Sequence, residues 1–383
     1  MFIITINDPN SHALVHYPHR PLFIIKLQSP SQPSLKTPEI TTGKQGMYST
    51  LKKYVFTVAV MQLLMTNFAQ AGVSEKKFCV WDPVGKGGPV AVLIKSMIPK
   101  AIAWGVNFKL DVYTDEKVAA NDFKAGVCDA VVTTDISARD FNSFTSTFSA
   151  VGAIQSEQEI RALLTTISSP KAAKLMRQGT YEIGGILPIG PVYIYVRDKN
   201  INRIERLQGT KMAVIANDPV VSTIVRRIGG SVVPSSLASL SGQFNSGGVD
   251  IIFAPAVAYS IMELDKGLSH GGGILNYPLL NTSLQIILRH DAFPEGFGQS
   301  MREYSLSQMD NMLDVVKAAE TEIPENRWIS ITSEVKADYD NYMRESRLAL
   351  REEGLYQPLA LKLMRKVRCK YTPTNTECVL KQE

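Results

Sequence analysis

The feature that most constrains this chain is an alternation running through its centre. "KKFCVW" reads as a strand, "GPVAVLIKSMIPKAIAWG" as a helix, "VNFKLDVYT" as a strand, "DEKVAANDFKAG" as a helix and "CDAVVTT" as a strand. Repeats of this length build a parallel sheet with helices on its faces, because parallel neighbours need a crossover that a helix supplies. A helical stretch, "SEQEIRALLTTISSPKAAKLMRQG", and an alternating strand, "PVYIYVRD", interrupt the pattern. It then resumes with "LQGTKMAVIAND" (turn and strand), "PVVSTIVRRIGG" (helix), "SVVP" (strand), "LASLSGQFNSGG" (helix) and "VDIIFAP" (strand). After a further strand, "LQIILRHDAF", the remainder is helical: "SLSQMDNMLDVVKAAETE", "TSEVKADYDNYMRESRLALREEG" and "YQPLALKLMRKVRC". Apolar residues recur there at three- and four-residue spacing, as they do in helices that brace a core.

Two α/β units joined by extended segments predict an α/β fold of two lobes forming a clamp, with extra C-terminal helices. The expected division is a first lobe over 72–195, a second over 196–285, and a crossover strand with bracing helices over 286–383. Upstream, "MYSTLKKYVFTVAVMQLLMTNFAQA" has the three parts of an export signal: Lys52 and Lys53, an uncharged apolar core from Tyr54 to Phe68, and the small-x-small pattern Ala69-Gln70-Ala71. A membrane anchor would need about twenty apolar residues, so 47–71 reads as a signal peptide cleaved after Ala71. Residues 1–46 hold six prolines, three of the five His residues (His12, His16, His19) and no sustained period. Such a segment buries too little to offset its ordering entropy. It reads as an over-extended N-terminus, with translation beginning at Met47, or as a disordered extension.

Charge points to no nucleic acid or anionic surface. Of 41 Lys+Arg and 36 Asp+Glu, residues 1–71 hold 6 and 2, leaving 35 against 34 after the cleavage site. All four cysteines follow that site. In an oxidising compartment proximity favours Cys369 with Cys378, which leaves Cys79 and Cys128, each at or next to a predicted strand: they bridge if those strands are neighbours, and are otherwise two buried free thiols. No CxxC pair is present and only His270 and His290 remain, so no metal site and no cofactor is expected.

The stretch from Ile204 to Pro255, "IERLQGTKMAV…RIGGSVVPSSLASLSGQFNSGGVDIIFAP", resembles the central block of the extracytoplasmic solute-binding proteins of tripartite (TRAP-type) transporters. The resemblance rests on a Leu-x-Gly-x-Lys turn before a strand, a helix ending at Gly229-Gly230, and Gly-x-x-Asp opening a later strand. It implies a periplasmic-binding-protein-like clamp that captures a small-molecule solute for inner-membrane transporter subunits. One position departs from the pattern: the family usually carries an Arg two residues beyond the Lys, to clamp carboxylates through paired hydrogen bonds, and here that position is Ala213. Either another cation (Lys86, Arg139 or Arg197) takes over, or the ligand is not a simple organic acid. Some similar proteins are known as RND-type efflux components linked to aminoglycoside resistance, so the alternative function is an accessory of a drug-efflux system.

Ligands in open α/β sheets bind beyond the carboxyl ends of the strands. Candidate ligand-binding residues at such ends are Trp81 and Asp82, Thr133, Thr134 and Asp135, Asn217 and Asp218, and Phe253, Pro255 and Tyr259. Tyr193 and Tyr195 on the crossing strand complete an expected aromatic wall. Asp82, Asp135 and Asp218 could receive an amine-bearing solute, or simply cap the helices that follow them. "GKGG" at 85–88 could bind an anion on backbone N–H groups but lacks phosphate-loop spacing. "GLSHGGG" at 267–273 matches the letters of a nucleophile elbow around Ser269, but a helix precedes it where an elbow needs a strand, so it reads as a flexible loop and no catalytic residue is expected.

Overall fold

The computed structural model describes residues 72–383 apart from Asn217. The expected export signal, the segment before it and the candidate Asn217 lie outside the described residues.

Eleven strands form one sheet: β1 (Ser74–Trp81), β2 (Val106–Tyr113), β3 (Ala130–Thr134), β4 (Arg177–Gln178), β5 (Tyr181–Val196), β6 (Lys211–Ile215), β7 (Ser231–Ser235), β8 (Ile251–Pro255), β9 (Gly273–Leu275), β10 (Leu280–Arg289) and β11 (Trp328–Ile329). The main path runs β2-β1-β3-β10-β5-β8-β6-β7. β1, β2 and β3 are mutually parallel, as are β6, β7 and β8. Between these two halves lies an antiparallel ribbon of β10 and β5, which pairs with β3 on one side and β8 on the other. Each parallel half is the α/β unit expected from the sequence, and the ribbon carries the chain between the lobes. Within the first half a disulfide joins Cys79 to Cys128, with Cα atoms 5.8 Å apart.

β5 starts ten residues before the strand read from "PVYIYVRD". Its first part, "YEIGGILPIG", carries the glycines and prolines that normally end a strand. Two register shifts against β10, at Thr282/Ser283 and Ile286/Ile287, absorb the irregularity. The glycines also admit helices. A Cβ on Gly185 would lie 2.1 Å from Ser305 Oγ of the helix Phe297–Ser307, and one on Gly190 would lie 2.6 Å from Val316 of the helix Met309–Glu322. These two helices were read from sequence as one run beginning at Ser305; the break falls at Gln308.

The longest helix, Ser333–Glu352, spans about 30 Å at 1.5 Å per residue. Its Tyr342 hydroxyl donates to the Ile224 carbonyl of the second half (3.4 Å), and its Arg347 donates to the Val151 carbonyl of the first (2.8 Å). One rigid rod therefore touches both lobes. Arg347 and Arg368 are nearly fully buried, and both pair with Glu377 and Glu383 from the tail that the Cys369–Cys378 disulfide folds back. Satisfying each buried guanidinium this way avoids the several kcal/mol that an unpaired buried charge costs.

Candidate ligand-binding site

A cavity of about 90 Å³ lies where the two parallel halves meet the ribbon. Asp135, Ile136, Arg139 and Ser149 line it from the first half, and Ala213, Val214, Ile215, Asp218, Val220, Val221 and Leu240 from the second. Val192 of β5, Phe253 of β8, and Leu280 and Thr282 of β10 close it. Asp135 follows β3 and Asp218 follows β6, so both acids stand at carboxyl ends of parallel strands.

The local fold holds both carboxylates by hydrogen bonds. Asp218 is the N-cap of the helix Pro219–Arg227, and its Oδ1 accepts the N–H groups of Val220 and Val221, each at 3.0 Å. Asp135 Oδ1 accepts from Thr282 Oγ1 (2.5 Å) and from the Ser283 N–H (3.2 Å), which ties the first lobe to β10. Burial pushes both carboxyls above the usual carboxylate range, against these hydrogen bonds. Arg139 pulls Asp218 back down and Asp135 pushes it up. Half-buried Glu116, also pushed up by burial, accepts the Thr134 N–H (2.6 Å) and hydroxyl (2.7 Å) and so fixes the residue that precedes Asp135.

Of the residues singled out from sequence, Asp135, Arg139, Asp218 and Phe253 line this cavity. The others are placed elsewhere. Asp82 caps the helix Pro89–Ala103 side of its loop, accepting from Val84 and Ala91 at 2.9 Å each. Trp81, Thr133 and Tyr195 are packed in the core, and Thr134 is engaged with Glu116. Tyr193 donates to Glu320 (2.7 Å) and Tyr259 to Asp265 (2.9 Å). Arg197 donates to the Phe244 carbonyl (2.6 Å), Lys86 is exposed, and Pro255 pairs with Val192 at the end of β8. Of the three cations weighed as substitutes at the Ala213 position, Arg139 alone borders the cavity, and Ala213 itself is in the wall. The walls are aliphatic with one aromatic ring, where the sequence had suggested several. The residues missed were Ile136, Val192, Leu240, Leu280 and their neighbours, which look like ordinary core positions; only the proximity of Thr282 to Asp135, invisible in the sequence, distinguishes that stretch.

Two other features of the fold are weaker candidates. A cavity of about 310 Å³ at the opposite end of β10 is bordered by Arg177, Glu182, His290 and Phe293. Its buried carboxylate, Glu182, is already paired with Arg302 (2.6 Å) and Arg177 (2.9 Å). In "GLSHGGG", Ser269 Oγ lies 3.0 Å from His270 Nδ1, but both side chains are exposed and Asp265–Leu268 immediately before them is helical. The strand that a nucleophile elbow needs is therefore absent at that position.

Known proteins share this architecture. A TRAP periplasmic solute binding protein from Desulfovibrio salexigens, solved with bound orotic acid, superposes with a TM-score of 0.64 at 12% identity, covering 77% of this chain and 99% of that one. Another, from Sulfitobacter sp. NAS-14.1 with bound beta-D-galacturonate, gives a TM-score of 0.62 at 15% identity, over 76% and 99%. The fold is thus the two-lobe clamp of those proteins. In sequence, the chain is 37% identical over 304 residues to the probable solute-binding protein AdeT1 of Acinetobacter baumannii, covering 79% of this chain and all of that one. The probable solute-binding protein AdeT2 of the same organism is 26% identical over 230 residues, 60% of this chain and 97% of the relative. Residues 52–383 match the family described as solute-binding protein AdeT 1/2, and the chain belongs to that family.

Proposed function

We propose that this protein captures a small molecule between its lobes in the periplasm and presents it to a membrane transporter, without chemically altering it. The observation that carries this reading is the cavity itself: its walls come from both parallel halves and from the ribbon between them, so closure of one half on the other would complete it. Polar groups are few and convergent, and the remaining wall is aliphatic, the composition of a site that gains affinity by expelling water. Family membership supports capture, and the TRAP proteins of similar fold support a transporter as the recipient. Two disulfides suit an oxidising compartment such as the periplasm, and the export signal at 47–71 would deliver the chain there. The candidate contacts are Asp135, Arg139, Asp218, Phe253 and Thr282. At about 90 Å³ the cavity is below the roughly 300–1,000 Å³ that drug-sized ligands occupy, which favours a small solute over the efflux reading.

The test is thermal shift of the purified protein across a metabolite library, with small-angle scattering of the best hits. A stabilising solute that also reduces the radius of gyration supports capture. A flat profile without compaction, together with native mass spectrometry that finds no retained small molecule, would overturn it.

A further inference from the structure

The charges around the cavity define the kind of solute it can hold, given that it is a capture site. Two carboxylates, Asp135 and Asp218, face one guanidinium, Arg139. Arg139 is already committed in part, since its Nη1 donates to the Leu355 carbonyl. Glu116, held by the Thr134 N–H and hydroxyl, places a third carboxyl group behind the Asp135 wall. Ala213, 2% exposed, contributes no cation.

Asp218 is 8% exposed, both of its hydrogen-bond donors reach Oδ1, and among the described residues no hydrogen bond reaches Oδ2. Oδ2 keeps some solvent access and an open accepting position, which an incoming N–H group can fill. An anionic solute would instead add a charge beside two carboxylates in a poorly hydrated space. The rest of the wall is methyl and methylene groups from Ile136, Val192, Val221, Leu240 and Leu280, with one ring from Phe253. That surface suits an alkyl chain.

We propose that the cavity binds a small aliphatic amine, its ammonium group held between Asp135 and Asp218 and its alkyl part against the aliphatic wall. The solute class therefore differs in charge from the orotic acid and galacturonate held by the proteins of similar fold. Space adds a second selection. A long polyamine exceeds about 90 Å³ and would hold the lobes apart.

The experiment is isothermal titration of the protein with 3-methylbutylamine, spermidine and D-glucuronate, repeated on Asp218→Asn. Asparagine keeps an oxygen for the two cap N–H groups, so the variant retains its fold, checked by circular dichroism and melting temperature. The expected result is binding of 3-methylbutylamine in preference to the other two probes, weakened about 10- to 150-fold in Asp218→Asn, the loss that accompanies removal of a hydrogen bond between charged groups. Amine affinity unchanged in a folded Asp218→Asn would overturn the proposal, as would preferential binding of spermidine or glucuronate, or no amine binding. Glucuronate binding, or an anion retained through purification, would leave the capture reading intact; absence of any retained solute and of lobe closure would remove that reading too.

Discussion

Asp218 does two jobs that a pair of substitutions can separate. As an N-cap it accepts two backbone N–H groups through one oxygen, Oδ1. As a buried carboxylate, 8% exposed, it carries a charge that burial and Asp135 both disfavour. Asp218→Ala loses the cap and should cost about 1 kcal/mol, within a range of roughly 0.5–2, partly offset by removal of the buried charge. In a chain of this size that is a fall in melting temperature of about 2 °C. Asp218→Asn keeps an acceptor at the Oδ1 position and removes the charge, so at neutral pH it should match or exceed the wild type.

The pH dependence has a definite sign. The folded-state pKa of Asp218 is raised. Its stabilising contribution is therefore fully present below the unfolded value of about 3.9 and is lost as pH rises through the folded value. Asp218→Asn does not titrate, so its advantage over the wild type should be near zero at about pH 4 and grow toward neutrality. Urea denaturation of the three proteins at several pH values is the assay. If Asp218→Asn is as unstable as Asp218→Ala at neutral pH, or its advantage shrinks as pH rises, then the ionised carboxylate is holding Arg139 in place and the argument from desolvation is wrong.

Other perturbations read other parts of the fold. Replacing Cys79 and Cys128 by Ser opens a link of sequence separation 49, and replacing Cys369 and Cys378 opens one of separation 9; chain entropy predicts losses of about 4 and about 3 kcal/mol, so denaturant midpoints should fall further for the first pair. Gly185→Ala would bring its Cβ to 2.1 Å from Ser305 Oγ and should cost about 1–3 kcal/mol by forcing the helix Phe297–Ser307 off β5, again measured by urea denaturation; a neutral result would contradict that close packing. Ala213→Arg puts a cation and its alkyl stem into a space of about 90 Å³ and should abolish amine binding by titration; retained amine affinity would place the ligand elsewhere.

How much was legible in the sequence depends on whether the signal was local. The parallel strands and their helices were readable because each carries its own period and its own punctuation, as in the helix Leu237–Ser246 ending at Gly247 with φ +84°. The first half of β5 was hidden because Gly184, Gly185, Pro188 and Gly190 argue locally against a strand. Gly185 and Gly190 belong there because a helix packs against the sheet at each, and Gly184 because Leu288 of β10 lies against it, tertiary demands that no local pattern announces. At the site, Asp135 and Asp218 were legible from the rule that α/β sheets bind ligands at carboxyl strand ends.

The expected aromatic wall failed for a reason of parity. Side chains alternate across a strand, so Tyr193 and Tyr195 share one face of β5 and Val192 occupies the other. In the fold the tyrosine face packs with Tyr259 and Phe244 in a separate core cluster, while Val192 borders the cavity. The sequence pattern "VYIYV" contains both faces and cannot say which one turns toward the gap between the lobes. That choice is made by the register of Val192 against Leu280 of β10 and Pro255 of β8, and shifting that register by one residue would exchange the faces. The pairing of β10 with β3, in which Leu284 lies opposite Thr134, sets Thr282 beside Asp135, so the aliphatic wall and the anchored carboxylate follow from the two alignments that β10 makes. An aliphatic, acid-lined cavity is therefore built into how the ribbon pairs with the two halves of the sheet.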